Sequence, residues 1–275
     1  MSYFSAPDDY RRFAYDLRKT SRYIHSEAVK QFLQAVLDTC ASRGQIIKKG
    51  HIFYRAQRGC IEKPLKAADC VISPSGEAAL FADEPWFIEN LKSVRPHSTS
   101  RMLPRKDKST EGRANPKGIP CLYLASEPST ALSEMRPSNG STLTLATCKT
   151  TRRLTLVDCS ANGEWPDILL NKPAAEPFEL LAWHNINSAF SNPVEQSDDL
   201  ADYVPTQVLA ELFRTKGYDG IFYKSAIALT GKNVALFDIN SIRITERRVF
   251  HVKEVRYGFE PEKLIPLSKK KQRNV

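Results

Sequence analysis

Four short segments of the chain carry the side chains whose types and spacing could do chemistry. The most informative is the loop Gly112–Pro120, in which two glycines and two prolines surround Arg113 and Lys117. Glycine lets a backbone approach a ligand closely, and the planar fork of arginine binds phosphate or carboxylate in a bidentate way. The loop leads into the apolar run 121–125, which predicts a buried strand and places the loop at a sheet end, where clefts form. The segment predicts an anion-binding loop; a solvated basic loop is the alternative.

The other three segments each bring one polar side chain to the end of an apolar element. Arg55 ends the apolar run that starts at His51, Glu134 lies on the helix that follows the run 121–125, and Ser225 follows the apolar run 220–223. An arginine can bind an anion, a carboxylate can stabilise a cation as it develops, and a hydroxyl can orient a polar ligand. The alternatives are a guanidinium in water, a surface glutamate and a serine that caps the next turn.

The elements that must position these residues alternate between helical and extended patterns. Apolar side chains recur at spacings near 3.6 over residues 8–43, which predicts helices there. Further helices are predicted at 126–136, 176–190 and 199–216, and strands at 51–55, 121–125, 142–147, 154–157, 220–223, 233–237, 242–245 and 249–255. The order is mixed and contains hairpin-like pairs, so the fold class predicted is α+β, with a mixed or largely antiparallel sheet among helices.

Composition and missing motifs exclude several classes of protein. The chain of 275 residues has 41% hydrophobic and 26% charged residues, an ordinary globular balance. It has no apolar run that would span a membrane and no secretory signal core, so we expect a cytoplasmic protein whose six cysteines are reduced. Dinucleotide-binding, P-loop, serine-hydrolase and zinc-protease motifs are missing. The five histidines show no ligand spacing, so no metal site is predicted. The net charge of +9 favours an anionic partner.

The order of the four segments resembles the RES-domain family, named for an arginine, a glutamate and a serine. An apolar strand with arginine is followed by G-R-x-N-P-x-G, Y-L-A, T-A-L-x-E and, last, G-Y-D-G-I-x-Y-x-S with G-x-N, between about Ile52 and Phe237. The resemblance implies a fold similar to mono-ADP-ribosyltransferases. It also implies an activity that cleaves the nicotinamide–ribose bond of NAD, by hydrolysis or phosphorolysis. NAD is then the substrate, and no cofactor is expected.

The resemblance also implies roles for individual residues. Glu134 and Ser225 are the expected catalytic residues, since Glu134 would stabilise the ribosyl cation and Ser225 would orient nicotinamide or ribose. Arg55 and Arg113 would bind the diphosphate, with Asn115 beside them, and Tyr123 or Tyr54 would stack on nicotinamide. Shorter family members carry a tyrosine three residues before the loop arginine. Thr110 stands at that position here, so Tyr54, Tyr123 or Tyr223 would have to supply the aromatic ring.

The resemblance also sets the expected domains and partners. We predict an N-terminal helical extension at 1–46, a RES catalytic domain at 47–260 with an insertion at about 60–110, and a basic tail at 261–275. Well-studied members are toxins whose partner is an antitoxin with an Xre-like helix-turn-helix. A toxin with such a partner, a stand-alone relative and a homodimer all stay open. Nucleic acid is expected to be contacted only through a partner, and a membrane not at all.

Three other functions stay open at this point. A mono-ADP-ribosyltransferase would use the same cleft with a protein side chain as acceptor. A non-enzymatic nucleic-acid-binding protein would use the basic loop and tail, and its binding would fall steeply with salt. An inactive RES relative would serve only as an interaction module.

Overall fold

A computed structural model describes residues 4–64, 92–105, 109–160, 176–192, 200–228 and 230–259. A large part of the predicted insertion and all of the predicted tail lie outside these residues. The helices are α1 (Asp9–Tyr15), α2 (Glu27–Cys40), α3 (Pro128–Ser133), α4 (Glu176–Ser191) and α5 (Val204–Thr215). The strands are β1 (Gly44–Ile47), β2 (Ile52–Arg58), β3 (Ile61–Pro64), β4 (Lys92–Arg95), β5 (Leu122–Ala125), β6 (Thr142–Thr150), β7 (Leu154–Asp158), β8 (Gly220–Lys224), β9 (Lys232–Leu236) and β10 (Ile242–His251).

Eight of these strands form one mixed sheet in the order β1-β7-β8-β9-β5-β2-β6-β10, and β3 pairs with β4 beside it. Strands β7 and β8 run parallel, and the other pairs in the large sheet are antiparallel. The parallel pair needs a long crossover connection, which α4 and α5 supply. The predicted α+β class with a mixed, largely antiparallel sheet is confirmed.

Apolar side chains of the helices cover one face of the sheet. Phe13 of α1 and Phe32 of α2 stack with ring centroids 4.5 Å apart, and Trp183 of α4 stacks against Phe213 of α5. These rings share one buried cluster with the sheet residue Ile221. Burying aromatic rings supplies a large part of the hydrophobic stabilisation of a domain. The N-terminal helices therefore belong to the core that supports strand β8.

A second buried cluster lies among the strands and includes Phe53, Leu122, Leu156 and Phe222. Met102, which is fully buried, joins it from the segment that precedes the basic loop. This contact fixes the 97–105 segment against the sheet, because an apolar side chain that leaves the core exposes its surface to water.

The sheet nearly divides in two between β5 and β2. Strand β2 pairs with β6 along its whole length, from Ile52 to Arg58, but meets β5 only where Tyr54 lies opposite Ala125. Beyond that pair the two strands diverge. A gap in the middle of a sheet removes ladder hydrogen bonds, so side chains must satisfy the strand edges there.

Several predictions about strands are wrong. Strand β2 extends to Arg58, so Arg55 lies within it and not at its end, and β3 and β4 were not predicted. Residues 242–255 were expected to form two strands, at 242–245 and 249–255, whereas β10 is one strand that pairs with β6 throughout. Its register shifts between Ile244 and Glu246, so a bulge absorbs the polar residues that interrupt the apolar pattern. Strand β1 was missed, because residues 44–47 follow the helical pattern directly and pair only with the distant strand β7.

Gly220 is required by the close approach of β8 to β9. A Cβ atom at this position would collide with the backbone carbonyl of Ala235, which belongs to the neighbouring central strand. We therefore expect Gly220→Ala to cost about 1–3 kcal/mol of unfolding free energy and to lower the melting temperature by about 2–10 °C. Thermal denaturation measures this, with Gly258→Ala as control, because a Cβ there meets no neighbouring atom. An unchanged melting temperature for Gly220→Ala would contradict the packing of β8 on β9.

No helix among the described residues is long and apolar enough to cross a membrane. Cys40, Cys60, Cys121, Cys148 and Cys159 have free thiols, and Cys60 alone of these five is not buried. Burial raises the pKa of the Cys121 and Cys148 thiols to about 12, so both stay protonated and unreactive at neutral pH.

Candidate functional site

A cavity of about 430 Å³ lies where β2 and β5 diverge. We call it the central cleft. Its lining comes from β2, β5, β8, β9, the basic loop and the end of α3, and the polar and aromatic residues among it are Tyr54, Arg55, Gln57, Arg113, Tyr123, Glu134, Tyr203, Tyr223 and Asn233. Side chains that are far apart in sequence therefore meet at the gap in the sheet.

The carboxylate of Glu134 is held in place from the opposite wall. Its Oε1 accepts hydrogen bonds from Oγ of Ser225 at 2.7 Å and from Nδ2 of Asn233 at 2.6 Å. Among the described residues no hydrogen bond reaches the other oxygen, Oε2. Helix α3 begins with Pro128 at its first turn and ends at Ser133, so Glu134 is the residue at which the helix stops. One carboxylate oxygen is fixed, and the other is left for a ligand.

Ser225 does two things at the end of β8. Its hydroxyl donates to Glu134 and accepts from the backbone N–H groups of Ile227 and Ala228, at 3.2 and 3.0 Å. The serine thus caps the turn that follows the strand and orients the carboxylate at the same time. Ser225 is not among the residues that line the central cleft, and it reaches the cleft through Glu134.

Arg55 is a half-buried cation without a carboxylate partner among the described residues. Its Nη1 donates to the backbone carbonyl of Tyr123 at 2.7 Å, across the gap between β2 and β5. Its Nε is buried and makes no hydrogen bond in the described part of the chain. Burial lowers the pKa of Arg55, although an arginine stays charged at neutral pH. A half-buried charge of this kind costs free energy that an anionic ligand would offset.

The basic loop is held rigidly by Asn115 and Tyr123. Asn115 is buried, and its Nδ2 donates to the carbonyls of Thr110 and Ile119 at 2.9 and 2.8 Å. The Tyr123 hydroxyl donates to Oδ1 of Asn115 at 2.7 Å and accepts from the backbone N–H of Ala114. Burial raises the pKa of Tyr123 well above its ordinary value, so the phenol keeps its proton. The loop therefore presents a fixed surface to the cleft.

Gly112 explains why the loop lies so close to β5. A Cβ atom on Gly112 would collide with the Tyr123 hydroxyl, so only glycine permits this approach. Helix α5 fixes the loop from the other side, where Nε2 of Gln207 donates to the carbonyls of Gly112 and Asn115 at 3.0 and 3.1 Å. Arg113, the residue after Gly112, is thereby placed at the cleft.

Arg113 lies between the cleft and α4. Its Nη1 donates to the backbone carbonyl of Ala189, and its guanidinium carbon lies 5.9 Å from the centre of the Tyr203 ring, within cation–π range. Tyr223 completes this wall, and its pKa is raised by burial and next by the charge of Glu134. The cleft thus offers two arginines, one carboxylate and several aromatic rings to a ligand.

The structure brings most of the residues singled out in the sequence to this cleft. Arg55, Arg113, Glu134, Tyr54 and Tyr123 line it directly. Asn115 organises the loop and lines a neighbouring cavity, which it shares with Arg55 and Tyr123. Lys117 is exposed and lies outside the cleft. Among the described residues no group of three or more His, Cys, Asp and Glu side chains could hold a metal ion.

Asn233 and Tyr203 line the cleft and were assigned no role from the sequence. Asn233 lies in the G-x-N motif, which carries part of the resemblance. That motif could have identified Asn233 as a site residue. Tyr203 precedes α5 in a 3-10 turn, without any motif around it. No sequence pattern available from a single chain indicates that this ring packs near Arg113.

Comparison with protein families decides what kind of domain holds this cleft. The family model described as the RES domain matches residues 85–260. This chain belongs to the RES-domain family. Within the RES match lie Arg113, Glu134, Ser225 and Asn233, whereas Arg55 precedes it on β2. The structure nevertheless places Arg55 in the same cleft as the matched residues. The resemblance noted in the sequence is confirmed, and the domain borders stay a prediction.

This RES protein is also similar to a chain of known structure. A chain from the crystal structure of the M. tuberculosis MbcT–MbcA toxin–antitoxin complex aligns with it over 78% of this chain and 92% of that chain, with a TM-score of 0.36 and 14% sequence identity. No curated protein matches the sequence.

Proposed function

We propose that this RES protein binds NAD in the central cleft and cleaves the bond between nicotinamide and ribose. The observation that carries the proposal is the combination of charges in one cleft. Arg55 is a half-buried cation whose Nε is buried without a hydrogen bond, and it has no carboxylate partner among the described residues. Glu134 is a carboxylate with one oxygen fixed by Ser225 and Asn233. A ligand with an anionic diphosphate and a cationic glycosidic centre matches both groups.

The reaction requires the protein only to position NAD and to supply charged groups near the bond that breaks. Nicotinamide leaves NAD as a neutral pyridine, so the C–N bond breaks without a general acid, and its electron pair departs with the ring nitrogen. The anomeric carbon then carries positive charge, as in glycoside hydrolysis. Glu134 stabilises that charge through a preorganised carboxylate, while Arg55 and Arg113 hold the diphosphate. Tyr54, Tyr123, Tyr203 and Tyr223 supply aromatic surface for the nicotinamide ring.

A second cavity supports phosphate as the acceptor. This side cleft, of about 240 Å³, reaches Glu134 from another direction and is lined by Arg113 and Arg136. Arg136 has a φ of 43°, which is uncommon for a residue other than glycine, and Nη2 of Arg58 donates to its carbonyl at 3.1 Å. In phosphorolysis a phosphate oxygen would bond to the anomeric carbon as nicotinamide leaves, which yields ADP-ribose 1-phosphate.

The products identify the acceptor. Purified protein is incubated with NAD in phosphate-free buffer, with added phosphate, and with added proteins, and the products are resolved by mass. We expect ADP-ribose 1-phosphate to dominate when phosphate is present. ADP-ribose alone would indicate a glycohydrolase, and a mass gain on an added protein would indicate a transferase. Salt-dependent binding of DNA or RNA, with NAD left intact, would favour the nucleic-acid-binding alternative.

Ser225 is expected to act through Glu134. Ser225→Ala removes one of the two donors to Oε1, so we expect kcat for NAD to fall about tenfold while KM changes little, as for a group that matters only in the transition state. Ser225→Thr keeps a hydroxyl and should restore most of the rate. Steady-state kinetics measures both. A raised KM with an unchanged kcat would instead show that the serine orients the substrate directly.

The resemblance to toxins of toxin–antitoxin pairs leads us to expect that the protein is toxic to cells that express it. We expect expression of the wild-type chain in a bacterium to deplete NAD and arrest growth, while Glu134→Gln at equal expression does not, because a cell without NAD loses its redox metabolism. Growth curves and extracted NAD levels measure this. Co-expression of an Xre-like antitoxin would relieve the arrest if the chain belongs to a toxin–antitoxin pair. Normal growth with normal NAD levels would argue against a toxin.

A further inference from the structure

A separate cavity of about 270 Å³ adjoins the central cleft on the side of Arg55. The two cavities share Arg55, Gln57 and Tyr123, but Glu134 lines the central cleft and not this separate cavity. We call the cavity of about 270 Å³ the arginine pocket. Arg101, Arg105 and Thr110 line it and do not line the central cleft. A ligand that passes Arg55 on its way from Glu134 therefore reaches the arginine pocket next.

One wall of the arginine pocket is fixed to the sheet. Met102 is fully buried in the core, and Arg101 is the residue before it. His97 is anchored by its N–H, which donates to Oγ1 of Thr144 at 3.2 Å, and by its carbonyl, which accepts from Arg247 at 2.8 Å. Such anchoring lowers the entropy lost when a ligand binds.

The opposite wall is the segment Ser109–Glu111, just before the basic loop at Gly112–Pro120. The carbonyl of Thr110 accepts from Asn115, and the carbonyl of Ser109 accepts from the N–H of Gly118 at 3.0 Å. Thr110 lines the pocket. A threonine side chain is much smaller than a tyrosine ring, so this position leaves room in the pocket.

The pocket is positively charged. It is lined by Arg55, Arg101 and Arg105 and by one carboxylate, that of Glu111. The Nε of Arg55 is buried without a hydrogen bond, and the side chains of Arg101 and Arg105 are exposed at the mouth of the pocket, which both residues line. Several guanidinium groups around one cavity favour a phosphate, which accepts several charge-assisted hydrogen bonds at once.

From this arrangement we infer that the arginine pocket binds a phosphate monoester on the adenosine ribose, so that the protein prefers NADP to NAD. The inference rests on the proposed function, because it takes the nicotinamide end to lie at Glu134 and the diphosphate at Arg113 and Arg55. The adenosine ribose then enters the arginine pocket. NADP differs from NAD by a 2′-phosphate on that ribose, and the pocket supplies Arg101 and Arg105 to it.

Two measurements test the inference, one with turnover and one without. The first compares kcat/KM for NADP and NAD, where we expect NADP to be favoured at least about tenfold, as charge-assisted phosphate contacts allow. The second titrates 2′,5′-ADP and 5′-ADP by calorimetry, where we expect the 2′-phosphate to tighten binding by a similar factor. Arg101→Ala should reduce both preferences about tenfold, and Thr110→Tyr should reduce them by filling the pocket.

Arg243→Ala is the matched control, since this exposed arginine lies on β10 and lines neither cavity. It should leave both preferences unchanged. Turnover of NAD and NADP at equal efficiency would overturn the inference and leave the proposed function intact. Selective binding of 2′,5′-ADP without turnover of either dinucleotide would support the pocket and contradict the proposed function. Equal binding of both ADP isomers would overturn the inference whatever the turnover.

Discussion

Glu134→Gln is expected to lower kcat for NAD cleavage at least about a hundredfold, in line with the loss of one preorganised electrostatic group. The structure explains why this change is mild in every other respect. Both hydrogen bonds from Ser225 and Asn233 go to Oε1, so the amide oxygen of glutamine can accept them in the same place. Only the charge is lost, and that charge matters where the ribosyl cation develops. The affinity for NAD should change little.

Nicotinamide release measured at several NAD concentrations separates these two quantities. Glu246→Gln serves as the control, because this carboxylate forms a surface ion pair with Arg248 on β10 and lies away from the cleft. Its kinetics should match those of the wild type. If Glu134→Gln retained NAD cleavage within about threefold of the wild type, Glu134 would not be the carboxylate that stabilises the transition state.

Arg55→Met is expected to weaken NAD binding at least about thirtyfold while the protein stays folded. Charge-assisted hydrogen bonds to phosphate are among the stronger ones in proteins, and a half-buried arginine makes them with less competition from water. Methionine replaces arginine as far as the position of Nε, so it keeps the packing of the aliphatic part without the charge. The variant loses the hydrogen bond to the Tyr123 carbonyl but no longer holds a half-buried cation without a carboxylate partner. These two effects oppose each other, so we expect a change in melting temperature of only about 5 °C or less.

Calorimetry in the Glu134→Gln background measures NAD affinity without consuming the ligand. Arg243→Met is the control, since it removes an exposed arginine that does not line the cleft. If the Arg55→Met variant bound NAD as tightly as the protein that keeps Arg55, the proposed role would be contradicted. That result would mean that the guanidinium of Arg55 only bridges β2 and β5 and binds no phosphate.

The parts of the site that lie within short sequence motifs could be predicted from the sequence. The loop Gly112–Pro120, Glu134 after its short helix and Ser225 at a strand end are all local patterns, and each lies at or beside the cleft. The roles of Asn115 and Ser225 in holding other residues were not visible, because they depend on which partner the fold brings within hydrogen-bond distance. Tyr203 had no local signal at all.

The origin of the cleft could not be predicted from any one segment. The cleft exists because β2 pairs fully with β6 but meets β5 only at Tyr54 and Ala125, which is a property of three strands far apart in sequence. Apolar periodicity identifies strands but does not specify their partners. The same limit explains why strand β1 was missed and why β10 was predicted as two strands. Each of these strands is defined by its pairing with a distant strand.

Release of nicotinamide from NAD tests the central claim most directly. Purified wild-type protein is incubated with excess NAD in the absence of any other protein, and free nicotinamide is quantified by mass over time. We expect nicotinamide to accumulate well beyond one equivalent of protein, whether or not phosphate is added, since phosphate changes only the identity of the second product. If NAD were recovered intact, while the protein was folded and Arg55, Arg113 and Glu134 were unchanged, the cleft would not be an NAD-cleaving active site.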